Sequence, residues 1–548
     1  MIYSFDVFDT CLVRLCGSPT NAFEVLSHKV AALMPVDEND REYLRQQFVT
    51  LRVGQRGKLE DAYDEIAKVF PLPASVEEMV SLELQTEREL MRPVLSVRDK
   101  IDALREKGKI VFISDMYLPD AFIKEMLVEH GFFHEGDALF VSDSVNAWKY
   151  DGTLYPYVRD ALGASYKGWH HYGDNYESDY AIPKKLGIKS HWLHFDYLAY
   201  EQHWMDDVIT TGCQYPSIIA GVSRTVRLSA GATEGQKKFV ADISAPLMTF
   251  WVLEMLRDAQ RRHISRIYFC ARDMHSYYLV ARCLQGLFPD VEVRYLFVSR
   301  KSLYDDSDER IAYLVQEGLA SGDRCAVADA VSTGTTYHTL NKLLTACGYP
   351  PLAKFYCLDS LWKSELFLEW DQELIRKDDA SASYCIYERY LGAVGKTKTL
   401  HLLGFRVLYE ILFSLNYHSK TVGYRRAGDR IRPVFGNDEE DSWTFRTHRV
   451  RTMKKENDLL LTAFAEGVAA TGLCRYSSQI LERIALTTLA EFFNRPDKNY
   501  LDYLHDFQYW DVNYVDKRWK KNVWKRGSTA FSFPSWMTDL IVYLCKKK

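Results

Sequence analysis

Residues 2–10 read Ile2-Tyr3-Ser4-Phe5-Asp6-Val7-Phe8-Asp9-Thr10. The apolar start predicts a buried strand, with Asp6 at its carboxyl end, where ligands bind in open α/β sheets. A carboxylate there can attack phosphorus and form an aspartyl phosphate, which divides one difficult hydrolysis into two easier steps. This stretch therefore predicts an α/β domain with Asp6 as its catalytic nucleophile.

Two later segments place polar groups after predicted strands. Ser114 and Asp115 follow the apolar run 110–113, and with Thr10 they are predicted to bind the phosphoryl group. Lys149, in the sequence Trp-Lys-Tyr-Asp-Gly, is predicted to neutralise the charge shared by Asp6 and the phosphate. Each piece is common by itself, but their order along the chain favours phosphoryl chemistry.

A metal site is predicted at the same sheet edge. Asp174 and Asp179 end a further strand in Gly-Asp-Asn-Tyr-Glu-Ser-Asp. Oxygen ligands suit Mg²⁺, a hard ion, so the expected ligands are Asp6, Asp174, Asp179 and the backbone carbonyl of Phe8.

These segments together resemble the HAD (haloacid dehalogenase-like) family over about the first third of the chain. The resemblance implies a Rossmann-like parallel sheet in residues 1–200, with a helical cap at about 17–96. Phe-Asp-Val-Phe-Asp-Thr with Ser-Asp-Met-Tyr-Leu is similar to HAD domains encoded among bacterial surface-polysaccharide genes. The resemblance thus implies a Mg²⁺-dependent phosphatase.

The sequence departs from this family at one position. HAD phosphatases usually carry a second Asp two residues after the nucleophile, as a general acid, whereas this chain has Phe8 there and Asp9 one place later. Asp9 or a cap residue would then supply the acid, or the domain would bind phosphate and hydrolyse it poorly. A dehalogenase, whose branch lacks this Asp, is a further alternative, although the acidic segment around Asp174 favours Mg²⁺ and phosphate.

A second α/β pattern begins near residue 235, with predicted strands at 266–270, 292–298 and 325–328. The last strand runs into Asp329-Ala330-Val331-Ser332-Thr333-Gly334-Thr335-Thr336 and then a helix. Small hydroxyl residues and Gly at a helix start let backbone N–H groups surround a phosphate. A simple N-cap by Ser332 or Thr333 would explain the same residues.

This loop resembles the signature of type I phosphoribosyltransferases, which has two acidic residues before a Ser/Thr-Thr-Gly-x-Thr turn. The resemblance implies that Asp329 holds the ribose diol of phosphoribosyl pyrophosphate (PRPP), and that the turn holds its 5-phosphate. Ala328 replaces the first acidic residue. The residues predicted to bind PRPP are Arg272, Asp273, Arg300, Lys301, Ser332, Thr333, Gly334, Thr335 and Thr336. Residues 302–322 are predicted to be a mobile loop that closes over the substrate.

Composition limits the other possibilities. The chain has 548 residues, a net charge of −5 and eleven cysteines without a CxxC pair. The length requires at least two domains, the charge argues against a nucleic-acid partner, and the cysteines favour reduced thiols in the cytoplasm. No apolar run is expected to reach the roughly 20 residues that span a bilayer.

The predicted domains are 1–200, a linker at 201–234, a phosphoribosyltransferase-like core at 235–350, and a mostly helical, aromatic-rich region at 351–548 that binds the acceptor. Basic and aromatic residues in 517–548 predict peripheral contact with the inner face of the cytoplasmic membrane, and a solvated basic helix is the alternative. The combined prediction is a bifunctional enzyme. It transfers 5-phosphoribosyl from PRPP to a saccharide acceptor, free or lipid-linked, and then removes the 5-phosphate, in surface glycan synthesis. Two alternatives remain open: a phosphatase with a PRPP- or nucleotide-sensing domain, and a scaffold in which both sites have decayed.

Overall fold

The computed structural model describes residues 1–198, 201–206, 215–232, 234–332, 334–360, 383–385, 420–436 and 448–472. These residues fall into two compact units, Met1–Gly231 with residues 470–472, and Ala232–Ala469. Each unit contains a five-stranded sheet in which every neighbouring pair of strands is parallel. The predicted α/β class with parallel sheets is therefore confirmed.

The first sheet has the order β5-β4-β1-β6-β7. Its strands are β1 (Ile2–Phe5), β4 (Lys109–Ser114), β5 (Ala138–Val141), β6 (Trp169–Gly173) and β7 (Lys189–Trp192). After β1 the chain adds β4 and β5 on one side of it, and then β6 and β7 on the other side. The direction of strand addition therefore reverses at β1, which is the switch point of the sheet. Ligands bind outside the carboxyl ends of strands at such a point, which is where Asp6 lies.

Four helices form the predicted cap, between β2 (Leu12–Arg14) and β3 (Met91–Pro93), which pair antiparallel. The cap helices are Asn21–Ala32, Glu38–Gly54, Leu59–Ala67 and Val76–Leu90. The last of them begins with a capping box between Ser75 and Glu78, which satisfies two backbone N–H groups at its start.

One buried ion pair joins the cap to its stem, and a second joins two cap helices to each other. Arg14 on β2 pairs with Glu87 at 2.8 Å, and Arg52 pairs with Glu83 at 2.7 Å, all four side chains being buried. Each arginine uses two nitrogens, and this bidentate geometry compensates the loss of hydration.

The other helices of the first unit flank the sheet. They are Leu95–Arg105, Asp120–Glu129, Ser142–Val145, Leu154–Ala161, the π-helix Tyr176–Ala181, Ile182–Lys185 and Tyr215–Leu228. The last one lies within the segment predicted to be a linker. It belongs to the first unit, and the hydroxyl of its Thr225 donates to the carbonyl of Arg14 at 2.6 Å.

The second sheet has the order β12-β11-β10-β8-β9. Its strands are β8 (Arg266–Cys270), β9 (Glu292–Leu296), β10 (Cys325–Ser332), β11 (Lys354–Ser360) and β12 (Ser383–Cys385). The chain passes from β9 across β8 to β10, so the switch point lies between β8 and β10. The predicted PRPP-binding segments at Arg272 and Asp329 follow or end these two strands, whereas Arg300 and Lys301 follow β9.

Helices and a hairpin complete the described part of the second unit. The helical segments are Glu234–Phe239, the π-helix Val240–Ser244, Ala245–Arg261, His275–Leu284, the 3-10 turn Gln285–Leu287, Arg300–Leu303, Asp308–Gln316, Thr335–Ala346 and His448–Thr471. The hairpin joins β13 (Thr421–Ala427) to β14 (Arg430–Phe435), with Gly428 at a φ of +62° in its turn.

The structure bears on three expectations for this unit. Residues 351–548 were predicted to be mostly helical, and their described part contains the helix His448–Thr471 together with β11, β12 and the β13–β14 hairpin. The segment 302–322 is not a free loop: its helix Asp308–Gln316 packs on the hairpin, and Tyr313 stacks on Tyr424 with ring centroids 4.5 Å apart. Most of 351–548, including the basic aromatic end, lies outside the described residues.

The third expectation concerns apolar runs, and the described part of the chain contains one that is longer than expected, Glu234–Arg261. It has 28 residues and a mean hydropathy of 1.5 in its most apolar stretch, enough by length and composition to cross a membrane. That stretch is buried inside the protein throughout. A helix packed on all sides in a large α/β unit has the same composition, so the segment by itself is weak evidence of a membrane span.

Candidate active site

Asp6 lies directly after β1, in a site built from three strand ends. Its backbone N–H donates to the carbonyl of Tyr172 on β6 at 2.9 Å, and its side chain is buried. Lys149 donates to Asp6 and, at 2.7 Å, to Oδ1 of Asp179. The nucleophile and lysine predicted from distant parts of the sequence are thus in direct contact.

Three carboxylates form the candidate metal site. Oxygens of Asp6, Asp174 and Asp179 all lie within 4.8 Å of one another. Both oxygens of Asp179 already accept hydrogen bonds: Oδ1 from Lys149, and Oδ2 from the backbone of Asn175 at 3.1 Å. Asp6 and Asp174 are therefore the carboxylates best placed to hold Mg²⁺, and Asp179 holds the lysine.

The charges in the site are strongly coupled. Burial raises the pKa of Asp6 well above its usual range, and the carboxylates of Asp179 and Asp174 raise it further, while Lys149 opposes the shift. Burial, with Asp9 and Asp179 nearby, raises the pKa of Asp174 to about 6. Excess negative charge of this kind is what a divalent cation would relieve, so the donor set fits Mg²⁺.

Ser114 is the residue that fits the predicted phosphate role best. It ends β4, and its hydroxyl is buried without a hydrogen-bond partner among the described residues. A buried polar atom left unpaired costs free energy, and a phosphoryl oxygen would satisfy it.

Two residues predicted to bind phosphate have other partners. Asp115 accepts from the backbone N–H groups of Lys149 at 2.7 Å and Tyr150 at 3.0 Å, so it shapes the turn that presents the lysine. Thr10 donates to Oδ1 of Asp174 at 3.1 Å and accepts from its backbone N–H at 3.1 Å. The sequence could not show this, since both contacts join segments more than 30 residues apart.

Phe8 and Asp9 occupy the turn after the nucleophile. The guanidinium of Arg14 lies 4.7 Å from the centre of the Phe8 ring, which gives Phe8 a packing role toward the cap stem. Asp9 has a φ of +56°, and its carboxylate pairs with Arg224 at 3.1 Å. Arg224, which lies in the helix Tyr215–Leu228, was missed by the sequence analysis because 215 residues separate the two.

This geometry gives a prediction for Asp9→Asn. The carboxylate of Asp9 already accepts a hydrogen bond from the guanidinium of Arg224, so we expect Asp9 not to protonate the leaving group. Asn tolerates a positive φ, so the turn should persist. The ratio of kcat for an alkyl phosphate to kcat for p-nitrophenyl phosphate should be unchanged. A selective loss of about 10²-fold or more with the alkyl ester would show that Asp9 is the acid.

A second prediction concerns Gly173, the last residue of β6. A Cβ added there would lie 2.6 Å from Oδ2 of Asp179, so Gly173→Ala must displace this carboxylate. Because Asp179 holds Lys149, we expect kcat for p-nitrophenyl phosphate, a substrate of the predicted activity, to fall on the order of 10²-fold. Gly231→Ala, where an added Cβ meets nothing within 4 Å, is the matched control. Unchanged kinetics in Gly173→Ala would refute the positioning role of Asp179.

Three of the predicted PRPP residues, Arg272, Asp273 and Arg300, lie close enough to act on one another electrostatically. Asp273 follows β8, and its pKa is raised by desolvation although Arg272, Lys454, Lys420 and Arg300 all lower it. Four cations thus act on one carboxylate. Two of them, Lys420 and Lys454, were missed by the sequence analysis, because no motif marks these lysines.

The remaining predicted residues lie around the same strand ends. Asp329, on β10, and Asp273 both raise the pKa of Cys270 at the end of β8, after burial, the main cause. Gly334 has a φ of +79° before the helix Thr335–Ala346, where Thr336 also lies, and Lys301 is exposed beside Arg300. Thr333 and the side chain of Ser332 lie outside the described residues.

Comparisons with known proteins add little beyond this geometry. No protein-family model matches the sequence, and no curated protein matches it either. Among solved structures, a HAD phosphatase from Thermococcus onnurineus is 18% identical, with a TM-score of 0.27, over 36% of this chain and 86% of that one.

Two further solved structures are similar at the same level. A putative HAD-hydrolase from Bacillus subtilis, bound to magnesium, is 15% identical with a TM-score of 0.26, over 36% of this chain and 90% of that one. A 2-haloacid dehalogenase from Pseudomonas syringae pv. Tomato is 15% identical with a TM-score of 0.26, over 36% of this chain and 88% of that one. Scores this low carry no weight for the fold, which rests on strand order and the site geometry.

Proposed function

We propose that the first unit hydrolyses phosphate monoesters with Asp6 as nucleophile. The observation that carries this proposal is the contact of Lys149 with both Asp6 and Asp179 at the carboxyl end of β1. A carboxylate oxygen of Asp6 attacks phosphorus, the bond from phosphorus to the ester oxygen breaks, and the leaving alkoxide takes a proton from water. Water then attacks the aspartyl phosphate and releases inorganic phosphate, restoring Asp6.

The other side chains support this reaction by charge and position. Lys149 offsets negative charge on the attacking carboxylate and the phosphoryl oxygens, and the hydroxyl of Ser114 donates to one of those oxygens. Mg²⁺, when bound by Asp6 and Asp174 with the Phe8 carbonyl, would neutralise phosphate charge. The buried setting strengthens each of these interactions.

The finer proposal assigns a natural substrate to this site. The second unit would transfer 5-phosphoribosyl from PRPP to a hydroxyl of a saccharide, forming a glycosidic bond as pyrophosphate leaves C1. The product still carries a 5-phosphate, which the Asp6 site would remove to leave ribofuranose. The four cations around Asp273 support this proposal, because a departing pyrophosphate needs such charge.

The place of this reaction is also proposed. The proposed acceptor is a lipid-linked surface glycan, which a cytoplasmic enzyme would meet at the inner face of the cytoplasmic membrane. The basic and aromatic residues of 517–548 are the feature of the sequence that suits such a surface.

Ala328 favours a second candidate function. It is fully buried in β10, where type I phosphoribosyltransferases carry an acidic residue. Without that acidic residue the ribose diol would be bound more weakly. Weaker binding suits a domain that senses PRPP or a nucleotide without turnover and is attached to an active phosphatase.

Asp329→Ala separates the two candidates. With PRPP, Mg²⁺ and a panel of saccharide acceptors, the wild type should release pyrophosphate, and the variant should lose this release while hydrolysing p-nitrophenyl phosphate normally. Replacement of the exposed Asp290 by Ala is the matched control. PRPP binding by calorimetry without pyrophosphate release would favour the sensing domain, and absence of binding would refute both.

A further inference from the structure

A buried chain of hydrogen bonds runs beneath the nucleophile. The register of β1 against β6 places Ser4 opposite His171, with Trp169 two residues before it. Nε1 of Trp169 lies 2.7 Å from Oγ of Ser4, which lies 2.7 Å from Nδ1 of His171. Nε2 of His171 lies 3.1 Å from Oδ1 of Asp179, the oxygen that also accepts from Lys149.

The donors and acceptors in this series of hydrogen bonds determine which ring nitrogen of His171 carries the proton. The Trp169 nitrogen can only donate, so Ser4 accepts from it and is free to donate its own hydrogen. At 2.7 Å, Nδ1 of His171 is a much better acceptor than the carbonyl of His170 at 3.4 Å. Nδ1 is therefore the unprotonated ring nitrogen.

The other ring nitrogen must then carry the proton. The hydroxyl of Tyr155 donates to the carbonyl of Ser178 at 2.7 Å, which leaves its oxygen lone pair facing Nε2 of His171 at 3.0 Å. Nε2–H is thus shared between this oxygen and Oδ1 of Asp179. A carboxylate can only accept, which agrees with a donating nitrogen.

We propose that His171, held by Ser4 and Tyr155 as the neutral Nε2–H tautomer, is a positioning residue of the phosphatase site. Its N–H orients the carboxylate of Asp179, which in turn holds the ammonium of Lys149 against Asp6. The positioning role of His171 rests on the proposed hydrolysis of phosphate esters. The assignment of its tautomer does not depend on that hydrolysis.

The tautomer is tested without any assay of activity. In the full chain carrying ¹⁵N-labelled histidine rings, His171→Gln identifies the signals of residue 171. The expected spectrum at neutral pH has one protonated nitrogen, Nε2, and one unprotonated nitrogen, Nδ1. Ser4→Ala should remove the bond to Nδ1 and shift its signal. A proton on Nδ1, or on both nitrogens, would overturn the proposal.

The positioning role is tested by kinetics with p-nitrophenyl phosphate and Mg²⁺. His171→Phe should lower kcat about 10- to 100-fold with little change in KM, as loss of an orienting partner does. His171→Gln, whose amide offers an N–H toward Asp179, should restore most of kcat. His170→Phe, on the opposite face of β6, is the matched control.

The outcomes separate this role from simple packing and from the proposed function. Wild-type kcat in His171→Phe, or equal losses in the Phe and Gln variants, would overturn the positioning role. If His171→Phe fails to fold, kcat of Ser4→Ala, which removes the bond that holds Nδ1, replaces it: kcat should fall several-fold, and wild-type kcat would overturn the positioning role. An inactive wild type would overturn the proposed hydrolysis and the catalytic role of His171 with it, while the ring signals would still settle the tautomer.

Discussion

Asp6→Asn is expected to abolish phosphate ester hydrolysis, with a fall in kcat of about 10⁴-fold or more. An amide oxygen is a poor nucleophile, and the two carboxylates grouped with Asp6 in the described part of the chain are engaged: Asp179 is held by Lys149 and the Asn175 backbone, and Asp174 by Thr10. The measurement is the steady-state rate with p-nitrophenyl phosphate and Mg²⁺.

Asn has nearly the same shape as Asp, so the fold of Asp6→Asn should be kept, and its unfolding curve serves as the control. In a coupled reaction with PRPP and acceptor, this variant should accumulate a product that retains its 5-phosphate. Residual kcat within tenfold of the wild type, or a fully dephosphorylated product, would show that Asp6 is not the nucleophile.

Lys149→Met is expected to have the second largest effect, on both activity and stability. The lysine is buried, and its pKa is raised because the attraction of Asp179 and Asp6 outweighs desolvation, so it is charged at neutral pH. Its removal leaves two buried carboxylates without their counter-charge. Breaking a buried ion pair in this way costs about 3–5 kcal/mol of unfolding free energy.

The loss of activity in Lys149→Met should be about 10²- to 10³-fold in kcat, the usual effect of removing one electrostatic contact in an active site. Denaturant unfolding and initial rates measure the two effects separately. Lys189→Met, at an exposed position of β7, is the matched control and should behave as the wild type. A Lys149→Met protein with wild-type rates would remove this residue from the mechanism.

Much of the first site could be predicted from the sequence, because parallel strands bring their carboxyl ends to one edge. A polar residue after an apolar run is then enough to place Asp6, Ser114 and Asp174 together. The partner of each polar atom could not be predicted, since it depends on strand register and long-range packing. The bonds of His171 to Ser4 and of Asp9 to Arg224 join residues 167 and 215 positions apart.

In the second unit, too, the strands could be predicted from the sequence, whereas the long-range packing could not. Its strands near 266, 292 and 325 were predicted from apolar runs, and the switch point between β8 and β10 coincides with the phosphate-type loop. The helix Asp308–Gln316 was mistaken for a loop, because its polar start hides an apolar face that the β13–β14 hairpin covers. That hairpin lies more than 100 residues later in the chain.

Chemical trapping of the aspartyl phosphate tests the central claim most directly. The wild-type protein, mixed with p-nitrophenyl phosphate and Mg²⁺, is quenched during turnover and reduced with borohydride, which converts an aspartyl phosphate to homoserine. Peptide mass spectrometry should find homoserine at position 6 and no such product in Asp6→Asn. Hydrolysis of the ester without modification at Asp6, or with modification at another carboxylate, would contradict the account.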